Sequence, residues 1–229
     1  MQIAVLLYPG FTALDAIGPV DVLGRLPGAE VVLVAERTGP VRNETGTVGL
    51  VADASLAEVT SPGIVVVPGA PDPGGQMRPG PVAEWLQQVD RTTTWTTSVC
   101  TGSLILAAAG LLTGRRATSH WLFLDELASY GAEATGERVV TDGKYVTAAG
   151  VSSGIDMGLT LVGRIAGDRA AQSVQLLIEY DPQPPYDAGS PQKAPAGLVA
   201  EWRNSGLAQL VRTGDGRADV PGSAGGRAR

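Results

Sequence analysis

Four short runs rich in Val, Ile and Thr, at residues 3–8, 31–35, 64–67 and 94–99, each stop at a proline, a glycine or a polar break. β-Branched residues fit a pleated, packed surface, and runs that are apolar throughout suit strands buried on both faces. Helix-like segments separate them or follow them, at 14–26, 81–89, 103–112, 120–130 and 154–165. Strands alternating with helices mean βαβ units and a mostly parallel sheet covered on both sides. Residues 41–54 and 139–148 break the alternation and read as hairpins. The second carries Asp142-Gly143 between Val139-Val140-Thr141 and Lys144-Tyr145-Val146, a strong two-residue turn signal. Both are expected to add antiparallel strands at the sheet edge. The expected architecture is one α/β domain over 1–211, with the small and polar stretch 212–229 as a flexible tail.

Composition narrows the function. Of 229 residues, 44% are hydrophobic and 17% charged, enough apolar material for a sizeable core. The net charge of −6, with no basic cluster, makes nucleic acid or an anionic membrane a poor partner. One cysteine excludes an internal disulfide and fits a reducing compartment. Met1-Gln2-Ile3 leads directly into an apolar run without the features of a signal peptide, and no apolar stretch is long enough to span a bilayer, so the expected location is the cytoplasm. A single histidine and a single cysteine cannot build a usual zinc site, and no dinucleotide or P-loop glycine motif is present. No metal or cofactor is expected.

The chemistry concentrates at Thr97-Ser98-Val99-Cys100-Thr101-Gly102-Ser103, where a β-branched run ends and an Ala/Leu-rich helix begins. Such a strand–turn–helix places Cys100 at the carboxyl end of a strand, where open α/β sheets hold their ligands. The helix N-terminus is expected to lower the thiol pKa and favour the thiolate. The arrangement is analogous to a nucleophile elbow, with Ser98 in place of its first glycine and Gly102 kept for close helix packing. A buried core cysteine is the bland alternative, and the turn context favours the nucleophile.

Asp15 follows the end of the first run and is flanked by apolar residues. It is open to two readings, a proton carrier with a pKa raised by burial or a helix cap. Asp21 is a weaker candidate on a solvated face. The third run ends at Val67-Pro68-Gly69-Ala70, whose amides, with that of Thr101, are either an oxyanion pocket or an ordinary turn. His120 closes Ala117-Thr118-Ser119-His120 and is a candidate partner for Cys100 or a structural histidine. Trp95 and Trp121 read as packing residues. The proline-rich stretch 180–191 reads as an arm across the surface or a partner, or as an ordered loop.

Three anchors, residues 11–19 with Asp15, 67–70, and 98–102 with Cys100, resemble the ThiJ/PfpI superfamily of class I glutamine amidotransferase-like proteins. Ala107-Ala108-Ala109-Gly110-Leu111-Leu112, Ser119-His120-Trp121 and the stretch 179–191 make the sequence most similar to the isonitrile-hydrating members. The resemblance implies a flavodoxin-like three-layer α/β/α sandwich and commonly a homodimer. It implies a cofactor-free reaction in which the Cys100 thiolate adds to R–N≡C, Asp15 serves as acid and then base, and a thioimidate is hydrolysed to an N-substituted formamide. Thr101, Gly69, Ala70 and Ile17 would bind the reacting atoms. Thr101 stands where PfpI-type proteases carry a histidine, so their dyad is absent. Asp15 stands in for the glutamate of many members. Two alternatives remain, a glyoxalase- or deglycase-like activity on small dicarbonyls and a sensor in which Cys100 oxidises. Similar sequences also occur as sensor domains of AraC-like regulators, which continue into a helix-turn-helix. This chain is expected to lack one.

Overall fold

The computed structural model describes residues 1–207. The domain boundary expected at 211 and the tail expected at 212–229 lie outside the described residues. The four apolar runs form β1 (Gln2–Leu6), β2 (Glu30–Ala35), β6 (Ile64–Val67) and β7 (Trp95–Val99). They pair in parallel, in the order β7-β6-β1-β2. All four residues of β6 are buried, as are the last four of β1 and of β7, which is why these runs do not alternate with polar residues.

The 139–148 hairpin is β10 (Val139–Asp142) and β11 (Tyr145–Ala148), turned at Gly143 with φ +59°. Strand β11 extends the sheet parallel to β7, and β10 is the antiparallel edge. The 41–54 segment departs from expectation. Strands β3 (Gly39–Arg42) and β4 (Gly49–Ala52) pair only with each other, in a separate two-stranded sheet. The main sheet is completed instead by β5 (Ala54–Ser55), parallel to β2. Asp53 explains the docking, because its amide donates to Leu33 O at 2.7 Å and its Oδ2 accepts from Leu33 N at 3.0 Å. A short parallel pair, β8 (Arg116–Ala117) and β9 (Glu133–Ala134), lies apart.

Helices α1 (Ala13–Leu23) and α5 (Ser153–Ala166) pack together on the sheet, while α2 (Pro81–Asp90), α3 (Gly102–Ala108) and α4 (Leu124–Ser129) form the second helical layer. The result is a flavodoxin-like three-layer α/β/α sandwich. Two helices were not legible in the apolar pattern, α6 (Asp168–Leu177), of which only Val174 is buried, and α7 (Ala196–Asn204), of which no residue is. No helix among the described residues is long and apolar enough to cross a membrane.

Candidate active site

The carboxyl ends of β1, β6 and β7 converge on one point. Strand β7 ends at Val99, and Cys100 turns the chain at φ +59° before α3 begins. That left-handed conformation costs a non-glycine residue about 1–2 kcal/mol, so neighbouring bonds must hold it. The Cys100 amide donates to the carbonyls of Ala148 (3.0 Å) and Ala149 (3.1 Å). Its carbonyl accepts from Ser103 Oγ and Ser119 Oγ, both at 3.1 Å. Gly102 packs so closely on β6 that a Cβ would run into the Val67 carbonyl. The elbow therefore needs glycine there on steric grounds.

Asp15 lies in the first turn of α1 and is fully buried. The start of α1 is clipped to the β6 loop, with Thr12 N donating to Gly69 O at 2.8 Å, and Asp15 Oδ2 accepts from Gly69 N at 3.0 Å. Oδ1 has no other fixed partner, and the Cys100 thiol is the polar group that faces the carboxyl. Burial raises the Asp15 pKa to about 8, outweighing the Gly69 amide and the thiol, which lower it. The carboxyl is therefore largely protonated near neutral pH.

The thiol shift runs opposite to expectation. Burial and the facing Asp15 carboxylate push Cys100 well above its ordinary range, and the Thr101 amide and hydroxyl offset this only in part. Helix α3 spans seven residues and the sulfur lies in a nearly closed site, 5% exposed, so desolvation wins over the helix terminus.

Of the three amides open to a reading as oxyanion pocket or ordinary turn, two are engaged within the protein. The Gly69 amide is bound to Asp15, and Ala70 N donates to Thr101 Oγ1 at 2.8 Å while that hydroxyl donates to Ala70 O at 2.6 Å. These amides hold the catalytic candidates in place instead of facing a ligand. Gly69 itself is required by crowding, since a Cβ there would lie 2.6 Å from Thr101 N. Cys100, Asp15, Thr101, Gly69 and Ala70 are thus brought together. Ile17 is not, being 40% exposed and outside the cavity wall. Asp21 is exposed and pairs with Arg25 at 3.1 Å.

His120 does reach the cavity, but it makes no dyad. Its Nδ1 accepts from Leu122 N at 3.4 Å, its ring meets Phe123 edge-on, and burial lowers its pKa to about 4, so it is neutral. The cavity, of about 370 Å³, has Cys100 and Thr101 in its wall and Glu44 at its rim. Trp121, expected only to pack, forms part of the wall, whereas Trp95 does not. The stretch 180–191 is largely exposed, and its end, 188–191, passes along the cavity. Leu198, Val199 and Trp202 of α7 complete the wall. The three sit within about one helical turn. Among the described residues no cluster of His, Cys, Asp and Glu is placed to hold a metal ion.

Fold and site together define a flavodoxin-like protein with a buried cysteine–carboxyl pair at a nucleophile elbow. The chain belongs to the DJ-1/PfpI family, whose model matches residues 1–164. It is 40% identical over 210 residues to an isonitrile hydratase of Pseudomonas putida, covering 92% of each chain. A solved ThiJ/PfpI family protein from Pseudomonas syringae superposes with a TM-score of 0.87 at 37% identity, over 92% of this chain and 90% of that one. An HTH-type transcriptional regulator of Pseudomonas aeruginosa is 33% identical over 177 residues, which span 52% of the regulator and 74% of this chain.

Proposed function

We propose that the protein hydrates isonitriles to N-substituted formamides, with Cys100 as nucleophile and Asp15 as acid and base. The observation that carries this reading is the neutral Asp15 carboxyl facing the Cys100 thiol beside a cavity walled mainly by apolar groups. An isonitrile is neutral, and its terminal carbon accepts a nucleophile and a proton on the same atom. A thiol and a carboxylic acid that face each other supply both. The likeness to the Pseudomonas putida enzyme supports the same substrate class.

The reactive pair holds one proton, which rests on the thiol and passes to the Asp15 carboxylate as the sulfur attacks, so that the pair reacts as thiolate and carboxylic acid. The sulfur adds to the terminal carbon of R–N≡C, and the Asp15 proton goes to that carbon, giving R–N=CH–S–Cys100 and an Asp15 carboxylate. Asp15 then takes a proton from water as its oxygen adds to the thioimidate carbon, and returns it to nitrogen, giving R–NH–CH(OH)–S–Cys100. The C–S bond breaks as the hydroxyl proton passes to Asp15. Formamide leaves, and the thiolate and carboxylic acid are restored. Thr101 stabilises the thiolate through its amide. Every proton and the nucleophile come from side chains or water, so the scheme uses no cofactor.

A carbonyl substrate would place negative charge on oxygen and require free donors around it. The Gly69 and Ala70 amides are already engaged, which disfavours the dicarbonyl reading. A thiol only 5% exposed also suits an oxidation sensor poorly. Proton NMR of the native protein with cyclohexyl isonitrile, and separately with methylglyoxal, separates these readings. Formamide from the first without turnover of the second is expected, and methylglyoxal turnover alone would reverse the assignment. Homodimerisation and a cytoplasmic location are part of the same proposal, the former checked by sedimentation.

A further inference from the structure

Helix α7 carries its apolar side chains Leu198, Val199 and Trp202 within one turn, yet none of its residues is buried. An apolar helical stripe ordinarily stabilises a fold by packing on the core. Here all three side chains look into the cavity that Cys100 also lines. The segment leading to α7 is anchored at its start. Glu179 turns the chain at φ +53°, and the next residue, Tyr180, donates its hydroxyl to Asp156 Oδ2 at 3.1 Å. The same oxygen accepts from Arg138 Nε at 2.9 Å and Nη2 at 2.6 Å, and Arg138 Nη2 reaches Ser152 Oγ at 3.2 Å. Arg138 O in turn accepts from Ala149 N at 2.9 Å, and Ala149 O accepts the Cys100 amide. The arm and the nucleophile are thus tied to one framework.

We propose that α7 is the specificity element of the site, with Trp202, supported by Leu198 and Val199, binding the apolar N-substituent while the terminal carbon meets Cys100. The occupant is the substrate's own substituent because the same cavity is lined by Trp202 and by the nucleophile. A cavity of roughly 150 Å³ takes up benzene, so the 370 Å³ here holds a ring together with the isonitrile group. Aryl and cycloalkyl isonitriles are therefore preferred over methyl isonitrile. This rests on the hydratase reading for the identity of the substrate, but the pocket can be tested without it.

The test is alkylation of Cys100, the only cysteine, by iodoacetamide and by N-phenyl iodoacetamide above neutral pH, followed by intact mass. The readout is the ratio of the two rates, bulky over small. Trp202→Ala is expected to lower this ratio about tenfold, the scale of one good apolar contact, and Trp202→Phe by about twofold at most. Leu176→Ala, on the exposed end of α6, should keep the native ratio. A Trp202→Ala protein that melts as a folded domain and keeps the native ratio would overturn the proposal. Dissociation of an oligomer by Trp202→Ala with the ratio unchanged would also overturn it, making α7 a subunit contact. Because alkylation does not depend on hydration, loss of the hydratase reading leaves this result interpretable.

Discussion

Asp15 is a fully buried carboxyl whose pKa burial raises to about 8, whereas an aspartate in an unfolded chain titrates at about 4. A group whose folded pKa exceeds its unfolded one contributes stability that is complete below the unfolded value and is lost as pH rises through the folded value. The window here runs from about pH 4 to about pH 8, and inside it the loss is about 1.4 kcal/mol per pH unit. Between about pH 5 and about pH 7 the native protein should lose roughly 2–3 kcal/mol through this group alone. Asp15→Asn keeps the side-chain shape and an oxygen for the Gly69 amide but cannot ionise. Other groups titrate alike in both proteins and cancel in the difference. Urea unfolding at the two pH values should therefore show Asp15→Asn gaining roughly 2–3 kcal/mol on the native protein as pH rises. Parallel pH dependence, within about 0.5 kcal/mol, would mean that the carboxyl is ionised in the fold, and the acid assigned to the reaction would be absent.

Four further outcomes follow from the same geometry. With Asp15 near 8 and the thiol higher, the one-proton pair is a minority near neutrality, so kcat/KM should rise with pH and level off above about 8; a flat profile from about pH 6 to 9 would contradict this. Because Cys100 sits at φ +59°, Cys100→Gly should be more stable than Cys100→Ala by about 1 kcal/mol in urea unfolding, and equal stability would speak against the left-handed elbow. Gly102→Ala drives a Cβ into the Val67 carbonyl and should cost about 3 kcal/mol, read as a lowered Tm; a neutral substitution would show that β6 and α3 lie further apart. The imidazole signals of the sole histidine should stay constant from about pH 5 to 8 in NMR titration, since burial holds His120 near 4, and a midpoint near its ordinary value would place the ring in solvent.

Much of the sandwich was legible because its strands are buried on both faces and so read as uninterrupted Val, Ile and Thr runs. The elbow was legible for a related reason, since a β-branched run, Cys100 and an Ala/Leu-rich helix leave room for only a sharp turn. What failed depended on tertiary context. The helix terminus that would lower the thiol pKa is a local feature, while burial of Cys100 beside Asp15 is produced by three separate elements meeting. The Gly69 and Ala70 amides had the right location, but sequence could not tell that Asp15 and Thr101 occupy them. Ile17 neighbours Asp15 in sequence and yet points to another face of α1, as two positions along a helix must. The 41–54 segment is legible as a hairpin, whereas the sheet edge is taken by β5, docked beside β2 through Asp53 and Leu33, a pairing that no local pattern announces. Helix α7 is hidden from the apolar pattern because its apolar side chains line the cavity and none of its residues is buried in the core.

The central claim is that one thiol and one neutral carboxyl hydrate an isonitrile, and it is tested most directly by formamide production from cyclohexyl isonitrile in the native protein beside Cys100→Ala. The account predicts formamide from the native protein and, with the nucleophile removed, a fall of at least about 10³-fold. Formamide formed at a comparable rate by Cys100→Ala would contradict the covalent mechanism.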